Sequence, residues 1–331
     1  MLGGVKKFIK ANFINDSYPF LMWLWQKRYI RIELAIREAY FRMNYAEVES
    51  AISRQHHKMF GRTLNWDNPQ TYNEKIHVSA LYMPTPLKTR LADKIAVREW
   101  ITERIGSEYL IPLLGVYDSF DEIDFDALPD SFVMKCNHDC GSVTLVKDKR
   151  TINRKLLKLK YDFFMSWDYA WHGCEMHYRD IPHKIMIEQY MGEVNDYKFN
   201  CFGGNVYYCA VDFDRYVAHK RNVYDLQWML QPFNFQPTYI NNIEISRPQN
   251  YDEMIRVAKV LCADFDQVRV DLYLVNEHIY CGEMTFTDCN GFSMFTPSEW
   301  DYKLGALWPF DNTVRAKVLA EYSRPADYQN P

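Results

Sequence analysis

A chain of 331 residues that is 48% hydrophobic and 16% aromatic can build two domains, or one large domain with an extension, around a substantial core. Its net charge of −4, with 25% charged residues, excludes a general nucleic-acid coat, because such binding needs a surplus of Lys and Arg. The eight cysteines follow no even spacing, no cleavage site follows an apolar leader, and no run is long enough to span a bilayer; the expectation is reduced thiols in a cytoplasmic protein.

Residues 1–44 carry eight Lys/Arg against three acids, a net of +5, around the run Tyr18-Pro19-Phe20-Leu21-Met22-Trp23-Leu24-Trp25. A basic, Trp-rich segment of this kind suits a helix docked on the main body, a homodimer contact, or a peripheral membrane contact through residues 1–50 at the inner face of a membrane. Residues 1–67 are therefore read as a basic, aromatic helical extension. Asn65 to Pro69 is a turn cluster. Residues 71–82 are expected as a helix, with Thr71 and Glu74 at capping-box spacing. Pro84 and Pro86 end it. Residues 91–105 are expected as a second helix, closed by Gly106. Residues 110–117 read as a strand, and 118–126 as a solvated acidic connector.

Residues 131–135 form the next expected strand, running into Cys136-Asn137-His138-Asp139-Cys140-Gly141-Ser142 and then strand 143–146. A short polar Gly-Ser loop between strands presents backbone N–H groups that can cover phosphates, with Lys135 as a point charge. Cys136, His138 and Cys140 are not read as a zinc site, since no second Cys/His pair follows at a suitable spacing. Residues 155–171 are expected as a helix with an aromatic core face. His172, Cys174 and His177 are read as polar loop residues. Residues 184–191 read as a buried strand, followed by the polar linker 192–195. Alternation from Asp196 to Phe202 places Asp196, Lys198 and Asn200 on one face, lining a cleft or facing solvent. Gly203-Gly204 turns the chain into strand 206–211. Residues 251–262 form an amphipathic helix.

The run Val268-Arg269-Val270-Asp271-Leu272-Tyr273-Leu274 and the run from Ile279 to Phe286 flank Val275 to His278, which reads as a β-hairpin. Arg269, Asp271 and Tyr273 share one face, and on the second strand Cys281, Glu283 and Thr285 share a face. A turn centred on Glu277 sets Asp271 opposite Glu283. Like charges in that register repel, and a divalent cation between them reverses the sign.

Taken together, the chain resembles the TupA-like, teichuronopeptide-type branch of the ATP-grasp superfamily over about residues 68–309. The matching motifs occur in order: Asn73-Glu74-Lys75, Asp93-Lys94 with Arg98, Phe132 to His138, Ile187-Glu188-Gln189-Tyr190, Asp196-Tyr197-Lys198-Phe199, Arg269 to Tyr273, and Gly282 to Thr287. The resemblance implies an α+β ATP-grasp fold, two α+β subdomains clamping ATP, behind a helical N-terminal extension. It implies a helical or α/β segment over 68–128, subdomain 1 with flap and hinge strand over 129–191, subdomain 2 with the metal site over 192–312, and a C-terminal tail over 313–331. By the same resemblance Lys94 and Lys135 contact the ATP phosphates, and His138 to Ser142, including Gly141, form the flap. The backbone of Glu188, Gln189, Tyr190 and Met191 reads adenine, and Asp196 holds the ribose. Asp271 and Glu283 hold Mg²⁺. Thr285 stands where many relatives carry Asn, so either its hydroxyl or Asn290 completes the metal site.

The activity implied is ATP-dependent joining of a carboxylate to an amine or amino acid through an acyl phosphate. Lys198 and Arg221 are the candidate catalytic cations and carboxylate clamp. The implied acceptor is a uronic acid in a bacterial surface polysaccharide or lipid-linked glycan. Three other readings stay open: an ATP-dependent phosphotransferase acting on a glycan hydroxyl, a glycosyltransferase using a nucleotide sugar, and a non-catalytic nucleotide-binding partner.

Overall fold

The computed structural model describes residues 45–213 and 219–322. The first helix, α1 (Tyr45–Phe60), falls inside the segment read as an extension, yet it docks on the body: Val48 is in an apolar cluster with Leu64, Val78 and Tyr178. Residues 1–44, with the Trp-rich run, lie outside the described residues.

Helix α2 (Tyr72–Tyr82) is buried along its whole length. Its start follows from the sequence: the Thr71 hydroxyl accepts from Glu74 N–H at 3.2 Å, and the Glu74 carboxylate accepts from Thr71 N–H at 3.0 Å. Asn73 and Lys75 are the helix's anchors. The Asn73 amide donates to Ser293 O at 2.9 Å and accepts from Ser293 N–H at 3.0 Å. Lys75 Nζ donates to Gly305 O and Trp308 O at 2.7 and 2.9 Å.

The single helix expected over 91–105 is two, α3 (Pro86–Ala92) and α4 (Ala96–Ile105). The Asp93 carboxylate accepts from Ile95 N–H at 2.8 Å and from the Asn137 amide at 2.9 Å. A short acid that bonds its own backbone competes with the helical ladder, and the break leaves Lys94 in the turn.

Two antiparallel sheets follow. The first contains β1 (Leu113–Tyr117), β2 (Phe132–Cys136), β3 (Thr144–Val146) and β4 (Ile185–Gln189), in the order β1-β4-β2-β3. Phe132, Met134, Ile185 and Ile187 pack against Tyr161 and Phe164 of α5 (Arg154–Met165). Residues 118–126 are more than a solvated connector: the acids face out while Phe120, Ile123 and Phe125 enter this core. After the short α6 (Ala170–Gly173), Cys174 and His177 are buried rather than on a polar loop; the His172 side chain lies outside the described residues.

The second sheet contains β5 (Asp196–Phe202), β6 (Asn205–Phe213), β7 (Lys220–Tyr224), β8 (Gln267–Val275) and β9 (His278–Thr285), ordered β7-β6-β5-β8-β9. One face, with Phe199, Val268, Val270 and Leu272, packs on α7 (Tyr251–Cys262). The other face carries Asp196, Lys198 and Asp271 toward the cleft. Beyond α8 (Trp300–Leu307), the expected tail is partly helix: α9 (Val314–Tyr322) packs Val318 and Leu319 into the cluster that holds Val48. Arg315 donates two bonds to Glu49 of α1, at 2.5 and 2.8 Å.

Candidate functional site

The β8–β9 hairpin turns at Asn276-Glu277, both with positive φ, and pairs Val275 with His278 through to Leu272 with Cys281. That register is one residue off from a turn centred on Glu277. A bulge at Gly282 restores the expected pairing, Asp271 with Glu283 and Arg269 with Thr285. Tyr273 explains the glycine, since a Cβ on Gly282 would lie 2.6 Å from its ring. The bulge also corrects one expectation: Cys281 does not share a face with Glu283 and Thr285 but turns into the core, 5% exposed.

On the cleft face, Lys198 Nζ sits 2.6 Å from both Asp196 Oδ2 and Asp271 Oδ2. Arg269 donates to both Asp271 oxygens, at 2.6 and 2.7 Å, to Thr285 Oγ1 at 3.1 Å, and to Asp288. Burial pushes the Asp271 carboxyl up, but Arg269 and Lys198 beside it hold it below the usual range. Burial opposes the charge on Lys198, and Asp196 and Asp271 more than restore it, so its ammonium is held above the usual lysine range. Glu283 is freer: it accepts from Thr285 Oγ1 at 2.5 Å, stands 3.7 Å from Arg269, and its side chain is 38% exposed. Burial and Asp271 push its carboxyl up, while Lys94, Arg269 and Lys198 hold it down.

Lys94 thus faces Glu283 from the flap side. Its Nζ donates to Asp139 O, and its N–H donates to Asn137 O at 3.2 Å. Lys135 Nζ lies 2.6 Å from Glu188 Oε2, and Arg98 holds the other Glu188 oxygen at 3.2 Å. Gln189, Tyr190 and Met191 lead from β4 into β5, linking the sheets. Gly141, at φ +129 with open space around it, and the exposed Cys140 form the tip of the flap. His138 and Ser142 do not reach outward with them. His138 is buried, stacked on His183 with ring centroids 3.7 Å apart, and burial lowers its pKa to about 3. Ser142 Oγ donates to Asp139 at 2.6 Å and accepts from Cys136 N–H at 2.7 Å, so both shape the flap from within.

A cavity of about 660 Å³ joins the flap tip to the second sheet; Cys140, Lys198, Arg221, Arg269, Glu283 and Thr285 are among its walls. Arg221 is not an open clamp, because its guanidinium is committed to Asp212 in two bonds of 2.6 and 2.8 Å. Nor is Arg269, on the same face as Asp271, an open clamp, since Asp271, Thr285 and Asp288 hold it. His219, in the candidate stretch His219-Lys220-Arg221-Asn222, has its Nε2 3.0 Å from Asp212; Glu175 and Asp288 also line the cavity, and neither of these two acids was legible as a site residue. Asn290 lines the wall beside Gly173 and Glu175 rather than the hairpin acids, which leaves Thr285 as the third candidate ligand.

Among the described residues no three His, Cys, Asp or Glu groups form a metal cage. The donors at Glu283, Thr285 and Asp271 are all hard oxygens, which fits Mg²⁺ carried in with phosphates rather than bound by the protein alone. Asp271 fits only by exchanging one of its bonds to Lys198 or Arg269.

The model of a family described as TupA-like ATPgrasp matches residues 74–308. Comparison with curated protein sequences finds no significant match. Among solved structures, the chain is similar to N5-carboxyaminoimidazole synthetase from Staphylococcus aureus (12% identity, 59% of this chain and 44% of that one, TM-score 0.36). It is also similar to D-alanine–D-alanine ligase from Helicobacter pylori (13%, 66% and 61%, TM-score 0.35). The D-alanine–D-alanine ligase from Bacillus anthracis complexed with ATP gives 16%, 76% and 76%, TM-score 0.42. The chain thus spans less than two thirds of the length of the first two.

Proposed function

Because the chain belongs to the TupA-like ATP-grasp family, we propose that it uses Mg·ATP to activate a carboxylate as an acyl phosphate and joins it to an amine. The observation that carries this reading is the Lys198–Asp271–Arg269 row beside Glu283 in the cavity wall. Phosphoryl transfer needs positioning and neutralisation of developing charge more than covalent help. Lys198 and Arg269 are fixed by short bonds to Asp271, so their N–H groups are already oriented when oxygen charge develops. Lys94, in the α3–α4 turn, and Lys135, on β2, approach from the flap sheet to hold phosphate oxygens. The backbone from Glu188 to Met191 borders the adenine, and Asp196 at the start of β5 receives the ribose. Bound with the nucleotide, Mg²⁺ supplies further neutralisation, and Glu283 and Thr285 are the residues that would hold it.

The acceptor in this reading is a uronic acid carboxylate of a surface polysaccharide or lipid-linked glycan, joined to a small amine or amino acid. It rests on the family alone. ADP release is measured with Mg·ATP on a panel of uronic-acid glycans, each with and without an amino-acid mixture. ADP that appears only with both co-substrates is the expected result. ADP with glycan alone, accompanied by a stable phosphate ester on the glycan, would establish a phosphotransferase and overturn the ligase.

No helix among the described residues is long and apolar enough to cross a membrane. A peripheral contact through the basic N-terminal segment is part of the proposal. Its test is a deletion ending at residue 44, since α1 is part of the body. Loss of binding to anionic vesicles is expected, and undiminished binding sinks the idea.

A further inference from the structure

The segment between Tyr169 and Tyr178 supplies another wall of the cavity, with both tyrosines and Glu175 on it. Cys174 adopts a left-handed conformation at φ 57, after which Glu175 N–H donates to Ala170 O at 2.9 Å. The Glu175 side chain is thereby turned inward, with the residue 5% exposed, and accepts a hydrogen bond from Thr287 Oγ1. Among the described residues no Lys, Arg or His pairs with it. Asp212, Asp271 and Asp288 in and beneath the same cavity each hold an arginine. A buried carboxylate without a cation is costly, and the cost disappears if a ligand brings the cation.

Asn290, on the same wall, has an unpaired atom. Asn290 Oδ1 is buried and makes no hydrogen bond among the described residues. Gly173 brings it beside the carboxylate: a Cβ there would lie 2.6 Å from Asn290 Nδ2 and 2.7 Å from Glu175 Oε2. Here the amide nitrogen stands next to the carboxylate and Oδ1 is turned away; a half-turn of the amide sets the carbonyl oxygen beside the carboxylate, on a wall that also carries Tyr169 and Tyr178. A primary ammonium has three donors, one positive charge and no acceptor, and matches that set.

We propose that this wall is the amine subsite, where Glu175 and Asn290 hold the co-substrate as its ammonium and Glu175 takes the proton that frees it to attack. The proposal rests on the ligase reading. The ammonium gives one proton to the Glu175 carboxylate and becomes a neutral amine. Its lone pair forms the C–N bond at the acyl carbon as the C–O bond to phosphate breaks. The nitrogen's surplus proton leaves with the phosphate, and Glu175 returns its own to solvent. Burial, with Glu283 acting in the same direction and Thr287 opposing, sets the Glu175 pKa at about 7, which suits this exchange. The other titratable groups facing it are Tyr169, Tyr178 and the flap thiol of Cys140.

Hydroxylamine separates the steps, since it is neutral at pH 7 and traps acyl phosphates without needing an ammonium site. Wild type, Glu175→Gln and Asn290→Ala are compared with Mg·ATP and uronic-acid glycans, using either hydroxylamine or the amino-acid mixture. For Glu175→Gln, amide formation is expected to fall about 100-fold in kcat/KM for the amine while hydroxamate formation and KM for ATP stay near wild type. Asn290→Ala is expected to raise the amine KM about 10-fold with kcat little changed, and it carries the test if the first variant does not fold. Equal loss of amide and hydroxamate in these variants, or no loss of amide, overturns the subsite and leaves the ligase standing. A wild-type protein that forms neither product with any glycan overturns the ligase reading itself, and the subsite with it.

Discussion

Asp271 is the residue on which the cleft face turns, because it is the counter-charge for Lys198 and Arg269 at once. Asp271→Asn removes that charge with little change of shape. ATP turnover is expected to fall at least about 100-fold, with far-ultraviolet circular dichroism unchanged. Glu175 makes a different prediction, through stability. Its folded pKa of about 7 lies above the ordinary 4.5, so the folded state binds this proton more tightly than the unfolded chain. The stabilisation is therefore full below pH 4.5 and lost as pH rises through about 7. Glu175→Gln lacks the titration. Melting of wild type and variant compared from pH 4 to 8 should show the wild type losing about 3 kcal/mol relative to the variant across that window. A constant difference would contradict the raised pKa.

At the scale of elements, the hairpin holds a correctable strain. Glu277 sits at φ +65 in a two-residue turn whose geometry favours glycine. Because its side chain is exposed, Glu277→Gly should raise stability by about 1 kcal/mol in urea titration, with activity unchanged. The same hairpin shows what could be read from sequence. Dense β-branched and aromatic residues identify both strands, and the Thr71/Glu74 spacing identifies the start of α2, because these signals are local. The Gly282 bulge is not local: alternation looks unbroken through it, and only the Tyr273 ring across the ladder demands the glycine. The α3–α4 break escapes for the same reason, since Asp93 is drawn out by Asn137, 44 residues on. Glu175 lies in a stretch without periodicity, and its character depends on Thr287, 112 residues away. Lys198 was legible because strand alternation puts it on one face with Asp196; the Asp271–Glu283 pairing came out as expected only because the Gly282 bulge offsets a turn that lies one residue from its expected place. That Arg221 is spent on Asp212 was not, because both are polar residues on neighbouring strands with no marker of their register.

At the scale of the molecule, Arg315 joins α9 to α1 through Glu49 and reaches Asp67 at 2.5 Å, while Glu49 also accepts from Tyr82 Oη at 2.6 Å. Arg315→Ala leaves a mostly buried Glu49 with one partner fewer, and a loss of about 1–3 kcal/mol is expected by urea denaturation. A change below about 0.5 kcal/mol would show the contact to be surface decoration. The clasp matters beyond stability, because α1 supplies Ala51, Ile52 and Gln55 to the cavity wall. On a ribosome the chain emerges from its N-terminal end, so α1 appears well before its clasping partner, 266 residues on from Glu49 to Arg315. Until residues 314–322 are released, the early helix lacks the contacts that seat it, although the sheets bearing the lysines, the flap and the hairpin are already made. The order of synthesis thus builds the sheets before the cavity wall is seated, and the growing chain gains that wall only once α9 comes free.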